Sequence, residues 1–289
     1  MLTIYELPNS RFDVCKPLYA EAWFDLPVYD AVFEGRQPGR IFVDSPDNPG
    51  AAIMCRTYDY FIAGTPDTPL RAFIKDAPEE ADVFQHLYSY APIGEAWEKA
   101  LLKDIPLTII PRRNYQWQMG KPAPEIAPPP GSCVKRIDLA LAEQADRELP
   151  LPFLKMFWGT YEALLENGFA YCALQDDAVT SVVYAIAMSS SGVVIGIDTI
   201  EKFQRQGYGA AASAAFIREA LERGLQPIWD TDDENVRSWK MAEKLGFVEH
   251  APFKELRPPD WKLKMTRGVW SRGETRANGV VEWVRKKDS

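Results

Sequence analysis

VVIGIDTIEKFQRQGYGAAASAAFIREALE, residues 193–222, decides how the rest of the chain is read. Its apolar opening, 193–200, predicts a buried strand. A polar loop bearing Gly207 and Gly209 follows. Residues 209–223 then show two apolar rows four apart, Ala212/Phe216/Ala220 and Ser213/Ile217/Leu221, the pattern of an amphipathic helix. Gly224 suits the position just past its end. Strand, glycine loop and helix start, in that order, form an anion-binding device. The N–H groups of the loop and of the first helical turn lack intrahelical acceptors, and the helix end carries partial positive charge.

Working outward, composition sets bounds. The formal net charge of −8 argues against a general nucleic-acid binder, which needs excess base to neutralise phosphates. A small phosphorylated ligand needs only local positive charge. Cys15, Cys55, Cys133 and Cys172 are scattered, and with His86 and His250 as the only imidazoles no zinc spacing arises. Free thiols in a reducing, cytoplasmic compartment are the expectation. The opening MLTIYELPNSRFD has no basic segment followed by an apolar one, so no secretory signal is expected. The most apolar stretch, 182–200, is broken by Ser189, Ser190, Ser191 and Gly192 and reads as two strands and a turn, not a membrane span.

Residues 121–131, KPAPEIAPPPG, favour an extended spacer, and the domain boundary is placed there. The expected division is an α/β lobe over 1–120, the linker 121–131, a second domain over 132–255 and an extension over 256–289. In the first lobe, 2–7, 40–44, 51–63 and 106–111 read as strands, and 11–33, 79–90 and 93–102 as helices. The basic tail end, Arg285, Lys286 and Lys287, reads as a solvated terminus. After the linker the order is strand 133–141, helices 142–148 and 152–167, and strands 169–175 and 178–188 joined by Asp176–Asp177. The quoted strand and helix follow, then strand 226–230, helix 235–245 and strand 247–253. This βααβββαβαβ order describes an α/β sheet covered by helices on both faces.

Two ligand classes suit the loop. A dinucleotide site would use Gly207, Gly209 and Ala212 as GxGxx[GA], with Asp230 about 20 residues on as the ribose acid. Six residues, 201–206, separate the strand from those glycines, and the preceding strands read as a tight-turned meander rather than as tandem βαβ units; both oppose this reading. Acyl-CoA is the other class. Gln204-x-x-Gly207-x-Gly209 resembles the [Q/R]-x-x-G-x-[G/A] signature of GNAT-superfamily N-acetyltransferases. Asn235-x-x-Ser238, followed by Glu243-Lys244-Leu245-Gly246-Phe247, is similar to the second GNAT motif in its RimJ/RimL-like version. The element order over 133–253 is also the GNAT order, and the weaker first lobe resembles the degenerate copy of two-lobed members.

The resemblance implies a mixed, mostly antiparallel GNAT sheet flanked by helices, acetyl-CoA as cofactor, and a small-molecule primary amine as acceptor. It places the CoA pyrophosphate on the N–H groups of Gln206, Gly207, Tyr208, Gly209 and Ala210, with Lys202 and Arg205 adding charge and Gln204 and Asn235 contributing to the same site. The pantetheine arm would pair with the strand edge at Thr199 and Ile200. Either of those N–H groups would face the thioester oxygen. Asp198 is the first choice of base for the amine, Asp230 the second. The tyrosine that often protonates the leaving thiolate in GNATs is Ala242 here, and Ser238, one turn away, is the substitute. Phe157, Trp158, Tyr161 and Trp229 are candidate pocket walls. Ala242 also keeps open a different class, a non-catalytic acyl-CoA-binding or regulatory module.

Overall fold

A computed structural model describes residues 2–20, 26–56, 59–66, 68–76, 86–89, 93–103, 105–150, 152–257 and 270–285. The chain runs β1 (Thr3–Leu7), a 3₁₀ turn (Asn9–Cys15), α1 (Lys16–Tyr19), α2 (Leu26–Phe33), β2 (Arg40–Val43), β3 (Ala51–Arg56), β4 (Asp59–Gly64), α3 (Thr68–Asp76), β5 (His86–Ser89), α4 (Ile93–Leu101) and β6 (Thr108–Gln116). It continues as β7 (Ser132–Arg136), α5 (Leu139–Glu148), α6 (Phe153–Trp158), α7 (Tyr161–Asn167), β8 (Ala170–Gln175), β9 (Ala178–Met188) and β10 (Gly192–Thr199). After a short 3₁₀ turn come α8 (Tyr208–Glu222), β11 (Gln226–Asp232), α9 (Val236–Leu245), β12 (Val248–Arg257), β13 (Trp270–Thr275) and β14 (Val281–Arg285).

These elements form two compact units. The first comprises Met1–Trp23, Gly39–Arg112 and Phe253–Ser289; the second comprises Phe24–Pro38 and Arg113–Pro252. The cuts therefore fall elsewhere than at the proline-rich stretch. Helix α2 belongs with the second unit, and β13 and β14 belong with the first, because β14 pairs with β1 (Thr3↔Val284). The tail is thus a sheet component as far as Arg285; Lys286 and Lys287 lie outside the described residues. The proline-rich stretch is anchored at its end by Ser132, whose N–H and hydroxyl both donate to the Pro129 carbonyl.

In the first unit β1, β2, β3 and β4 follow one another antiparallel, and β4 then pairs parallel with β5. The same succession recurs in the second unit: β7, β8, β9 and β10 antiparallel, then β10 parallel with β11. The β8–β9 hairpin closes through the expected Asp176–Asp177 turn, whose two residues both have positive φ (51° and 62°), as a two-residue hairpin loop of the primed kind requires. Strand β5 corrects the helix expected over 79–90 at residues 86–89, which are extended; residues 79–85 and 90 lie outside the described residues. The helix expected over 11–33 is likewise divided, with its first part a 3₁₀ turn and residues 21–25 outside the described set. The expected long helix 152–167 is two helices, broken at Gly159 (φ 76°).

Each unit has its own core. In the first, Leu70 and Phe73 of α3 and Trp97 of α4 pack with Phe42, Ile53, Ile62, Leu256 and Trp283. In the second, α8 buries Ala212, Ser213, Phe216, Ile217 and Ala220, and Phe216 stacks on Phe169 at 4.3 Å. Its alanines bring the helix axis close to the sheet, which fixes where its N-terminus ends up.

Candidate functional site

The candidate site lies at the junction of β10 and α8. Strand β10 pairs with β11 only over Gly192–Val194, against Gln226–Ile228, yet runs on to Thr199 while β11 runs on to Asp232. Its other edge stays paired with β9 to Thr199↔Ser181. The Ile200 N–H donates to the Thr180 carbonyl at 3.0 Å. By the alternation of an antiparallel ladder, the polar groups of Asp198 also face β9, and those of Ile197 and Thr199 face the side where the β11 pairing has stopped. Of the two N–H groups expected to meet a thioester oxygen, Ile200's is therefore occupied, and Thr199's faces the opening.

The loop after β10 is shaped by its own side chains. Gln204 donates its amide to the Thr199 carbonyl (3.2 Å) and accepts from Arg237 of α9 (3.3 Å). Gln206 donates to the Lys202 carbonyl (2.8 Å). Arg205 (φ 63°) and Gly207 (φ 98°) are left-handed, and both are exposed with Lys202 and Gln206. Gly207 caps α8 without a side-chain hydrogen bond. Among the described residues no acceptor takes the N–H groups of Gln206, Gly207, Tyr208, Gly209 or Ala210. A Cβ on Gly207 would meet nothing closer than Pro129 Cγ at 3.8 Å, so the cradle is open.

Gly209 is also required by the sheet beneath it. It is buried in the first turn of α8, and a Cβ there would lie 2.9 Å from Ile197 Cδ1, 3.1 Å from Thr199 Oγ1 and 3.2 Å from Ser181 Oγ. It is glycine so that the helix start can rest on the end of β10. The Tyr208 side chain packs: it is 3% exposed, meets the edge of Phe203, and its hydroxyl donates to Gln175. Only its backbone N–H remains in the cradle.

On the other face of the sheet, Asp198 is half-buried and accepts a hydrogen bond from the Tyr184 hydroxyl at 3.0 Å. Burial pushes its carboxyl up to about 6, and the Tyr184 bond, which favours the charged form, opposes part of that rise. Tyr184 was not among the sequence candidates. It lies two residues along β9 from Val182, the direct partner of Asp198, so only the strand register reveals it.

Asn235 caps α9: its side chain and its carbonyl both accept from the Ser238 N–H. It is a helix-starting residue, with its side chain turned to its own helix. Ser238 Oγ lies 2.9 Å from Trp229 Nε1, an indole that can only donate, so the hydroxyl proton of Ser238 is available to another acceptor. Ala242 is fully buried. Asp230 is half-buried on β11, two residues beyond the end of the pairing. Of the expected pocket walls, Trp158 and Trp229 are core residues, 2% and 1% exposed; Trp158 donates to the Ala185 carbonyl. Tyr161 is half-buried.

A family model described as GNAT acetyltransferase matches residues 18–256. The chain belongs to the GNAT acetyltransferase family. It is 23% identical over 252 residues to the uncharacterized N-acetyltransferase YdfB of Bacillus subtilis (strain 168), covering 86% of this chain and 95% of that protein. The fold matches a GCN5-related N-acetyltransferase-like protein from Streptococcus suis 89/1591 at a TM-score of 0.69, with 24% identity over 86% of this chain and 98% of that one. It also matches a tandem GNAT protein from the clavulanic acid biosynthesis pathway at a TM-score of 0.57 and 11% identity, covering 88% and 97%. The acetyltransferase is thus an acyltransferase enzyme with the mixed sheet of its fold. Among its described residues no helix is long and apolar enough to cross a membrane.

Proposed function

We propose that the second unit is an acetyl-CoA-dependent N-acetyltransferase domain acting on a primary amine of a small molecule, by direct attack on the thioester. The observation that carries this reading is one juxtaposition. The uncapped N-terminus of α8 rests on Thr199 on one face of the β10 end, and the preceding residue, Asp198, presents on the other face a carboxyl raised to about 6. The residues present fit the cofactor. Five N–H groups with no acceptor among the described residues, the exposed Arg205 and Lys202, and the positive helix end suit a pyrophosphate. The unpaired edge at Ile197 and Thr199 suits a peptide-like arm. When bound, acetyl-CoA supplies an acetyl group activated as a thioester.

The residues of the chain then divide the work. Asp198, ionised above about pH 6, takes a proton from the substrate ammonium, whose ordinary pKa is about 10. Asp230 is the reserve base. The Thr199 N–H, facing the opening, stabilises charge developing on the carbonyl oxygen. Ser238, fixed as acceptor by Trp229, keeps a hydroxyl proton to give and would be the donor for the leaving thiolate in place of the usual tyrosine, whose position Ala242 occupies. Direct transfer is supported by the thiols. Buried Cys172 on β8 is pushed up to about 12, and Cys133 lies on β7, separated from β10 by β8 and β9 in the sheet order. The first unit is read as a degenerate copy that repeats the strand succession, and the cytoplasm is the compartment in which all four thiols stay reduced.

Acetyl-CoA thiol release, measured over a panel of small primary amines, tests the reading. At least one amine should stimulate release, and Asp198→Asn should lower kcat about a hundredfold, the scale of general-base catalysis, with little change in CoA affinity. Release that no amine stimulates, despite CoA binding, sinks the enzyme-on-amines reading. A full-rate Asp198→Asn variant moves the base elsewhere.

A further inference from the structure

We propose that Tyr184 is the positioning residue of the Asp198 carboxylate, holding Oδ2 so that Oδ1 is the oxygen that receives the amine proton. The proposal rests on Asp198 as base and adds the group that orients it. Three observations build it. The Tyr184 hydroxyl donates to Asp198 Oδ2 at 3.0 Å, and among the described residues no other side chain bonds that carboxylate. The Tyr184 ring is clamped by two rings of α6: Phe153 at 6.0 Å and 13°, and Phe157 at 6.1 Å and 27°. Directly across the ladder stands Gly196, where a Cβ would lie 2.5 Å from Tyr184 Cε2 and 2.6 Å from Cζ. A residue with any side chain at 196 would displace the ring, so the glycine lets the phenol lie flat over β10 and reach the residue two places on.

The alternation of the strands supports the assignment. Asp198 pairs with Val182, and Tyr184 is its diagonal neighbour on the same face, within reach of a long aromatic side chain. A carboxylate at a half-buried strand end has free rotation about its χ angles unless something holds it. The phenol supplies one fixed donor and leaves the second oxygen uncommitted. Other ionisable groups around Asp198 are distributed as follows. Helix α6 carries Lys155, whose ammonium lies over the Tyr161 ring. Strand β11 carries Asp230, and the loop after β10 carries Glu201, Lys202 and Arg205, all three exposed. Strand β9 contributes Tyr184 alone, and among the described residues none of these charged groups bonds the carboxylate.

The consequence is a sign that distinguishes positioning from mere packing. The hydroxyl favours the ionised form of Asp198 while burial opposes it. Removing the hydroxyl from an intact site therefore moves the Asp198 midpoint up. Opening or loosening the site admits water and moves it down, toward the ordinary carboxylate value. The full-length protein, labelled with ¹³C at aspartate Cγ and titrated by NMR with CoA present, reads this without any knowledge of the amine; Asp198→Asn identifies the resonance. Tyr184→Phe should raise the midpoint by about one pH unit with CoA affinity within twofold. Gly196→Ala, which keeps the hydroxyl but pushes the ring aside, should also raise it. An unchanged midpoint in Tyr184→Phe, or a midpoint that falls, overturns the proposal. A full-rate Asp198→Asn enzyme would instead overturn the reading of Asp198 as base, a failure visible in turnover and separate from the titration.

Discussion

Two junctions of the same chain, β4–α3 in the first unit and β10–α8 in the second, start from the same arrangement and end differently. Each is the last antiparallel strand of a meander, pairs parallel with the next strand for three residues, and leads into a helix. In the second unit eight residues, 200–207, connect strand to helix, and they curl through two left-handed positions into an open cradle. In the first unit three residues, 65–67, make the connection. There the strand end is sealed. The Trp97 indole donates to the Gly64 carbonyl at 2.9 Å and is itself fully buried, and the Thr65 N–H is taken by the Gly50 carbonyl. Loop length and one indole thus separate a junction that can receive an anion from one that is core.

The comparison can be broken most sharply at its glycines. Gly207→Asp places a carboxylate among the N–H groups of α8. Asp tolerates the left-handed region, so the fold should persist while CoA affinity drops about a thousandfold, roughly 4 kcal/mol. Unchanged affinity by calorimetry would remove the anion site from the second unit. Gly64→Ala tests the opposite. Gly64 has φ 73°, and a Cβ there would sit 2.2 Å from the Gly50 carbonyl oxygen. The variant should lose about 3 kcal/mol in urea unfolding of the first unit, with CoA affinity intact. A loss of affinity instead would mean that the sealed junction contributes to binding.

Asp198 sharpens the contrast through pH. Its pKa rises from the ordinary 3.8 to about 6 on folding, so the folded state binds the proton more tightly than the unfolded state does. Its burial therefore costs nothing below about pH 4, and the cost grows as pH rises to about 6, reaching at most about 3 kcal/mol above that. Asp198→Asn removes a group that ionises, so its stability relative to the parent should increase from pH 4 to pH 7. A difference in unfolding midpoint that stays flat over that range would contradict the buried carboxylate. The smallest effect belongs to the first unit. Trp97→Phe deletes one buried hydrogen bond and part of an indole, and about 1–2 kcal/mol of stability should be lost while turnover is unaffected.

The second junction was legible because its determinants are local. The glycines, the polar residues between them and the strand, and the two apolar rows of α8 all lie within one window, and the Asp176–Asp177 turn fixes the hairpin before it. What the sequence concealed depends on register. Tyr184 meets Asp198 only because β9 and β10 pair with a shift between Val194 and Ile195. Strand β5 gains its extended form from parallel pairing with β4, a partner distant along the chain, and its four residues carry no alternation long enough to announce it. Gly209 and Gly207 look alike in a motif, yet one is needed by the sheet beneath it and the other faces outward. Gln204 and Asn235, expected at the ligand, also bond the protein's own backbone through their side chains, a contact that the motifs do not reveal. Short polar side chains beside loops and helix starts satisfy those backbones first.

The pairing of β1 with β14 has a consequence for the order in which the protein is made. Thr3 meets Val284, and Tyr5 meets Glu282, so β1 is translated long before β14, one of its two neighbours. The second unit, whose last segment runs to Pro252, can assemble its sheet before β13 and β14 are translated. The strands of the first unit flank those of the second in the chain, so β1 lacks its β14 partner until the residues between them have been translated. During that interval the strand is a target for chaperones and for other nascent chains, a vulnerability set by connectivity rather than by the stability of the finished fold.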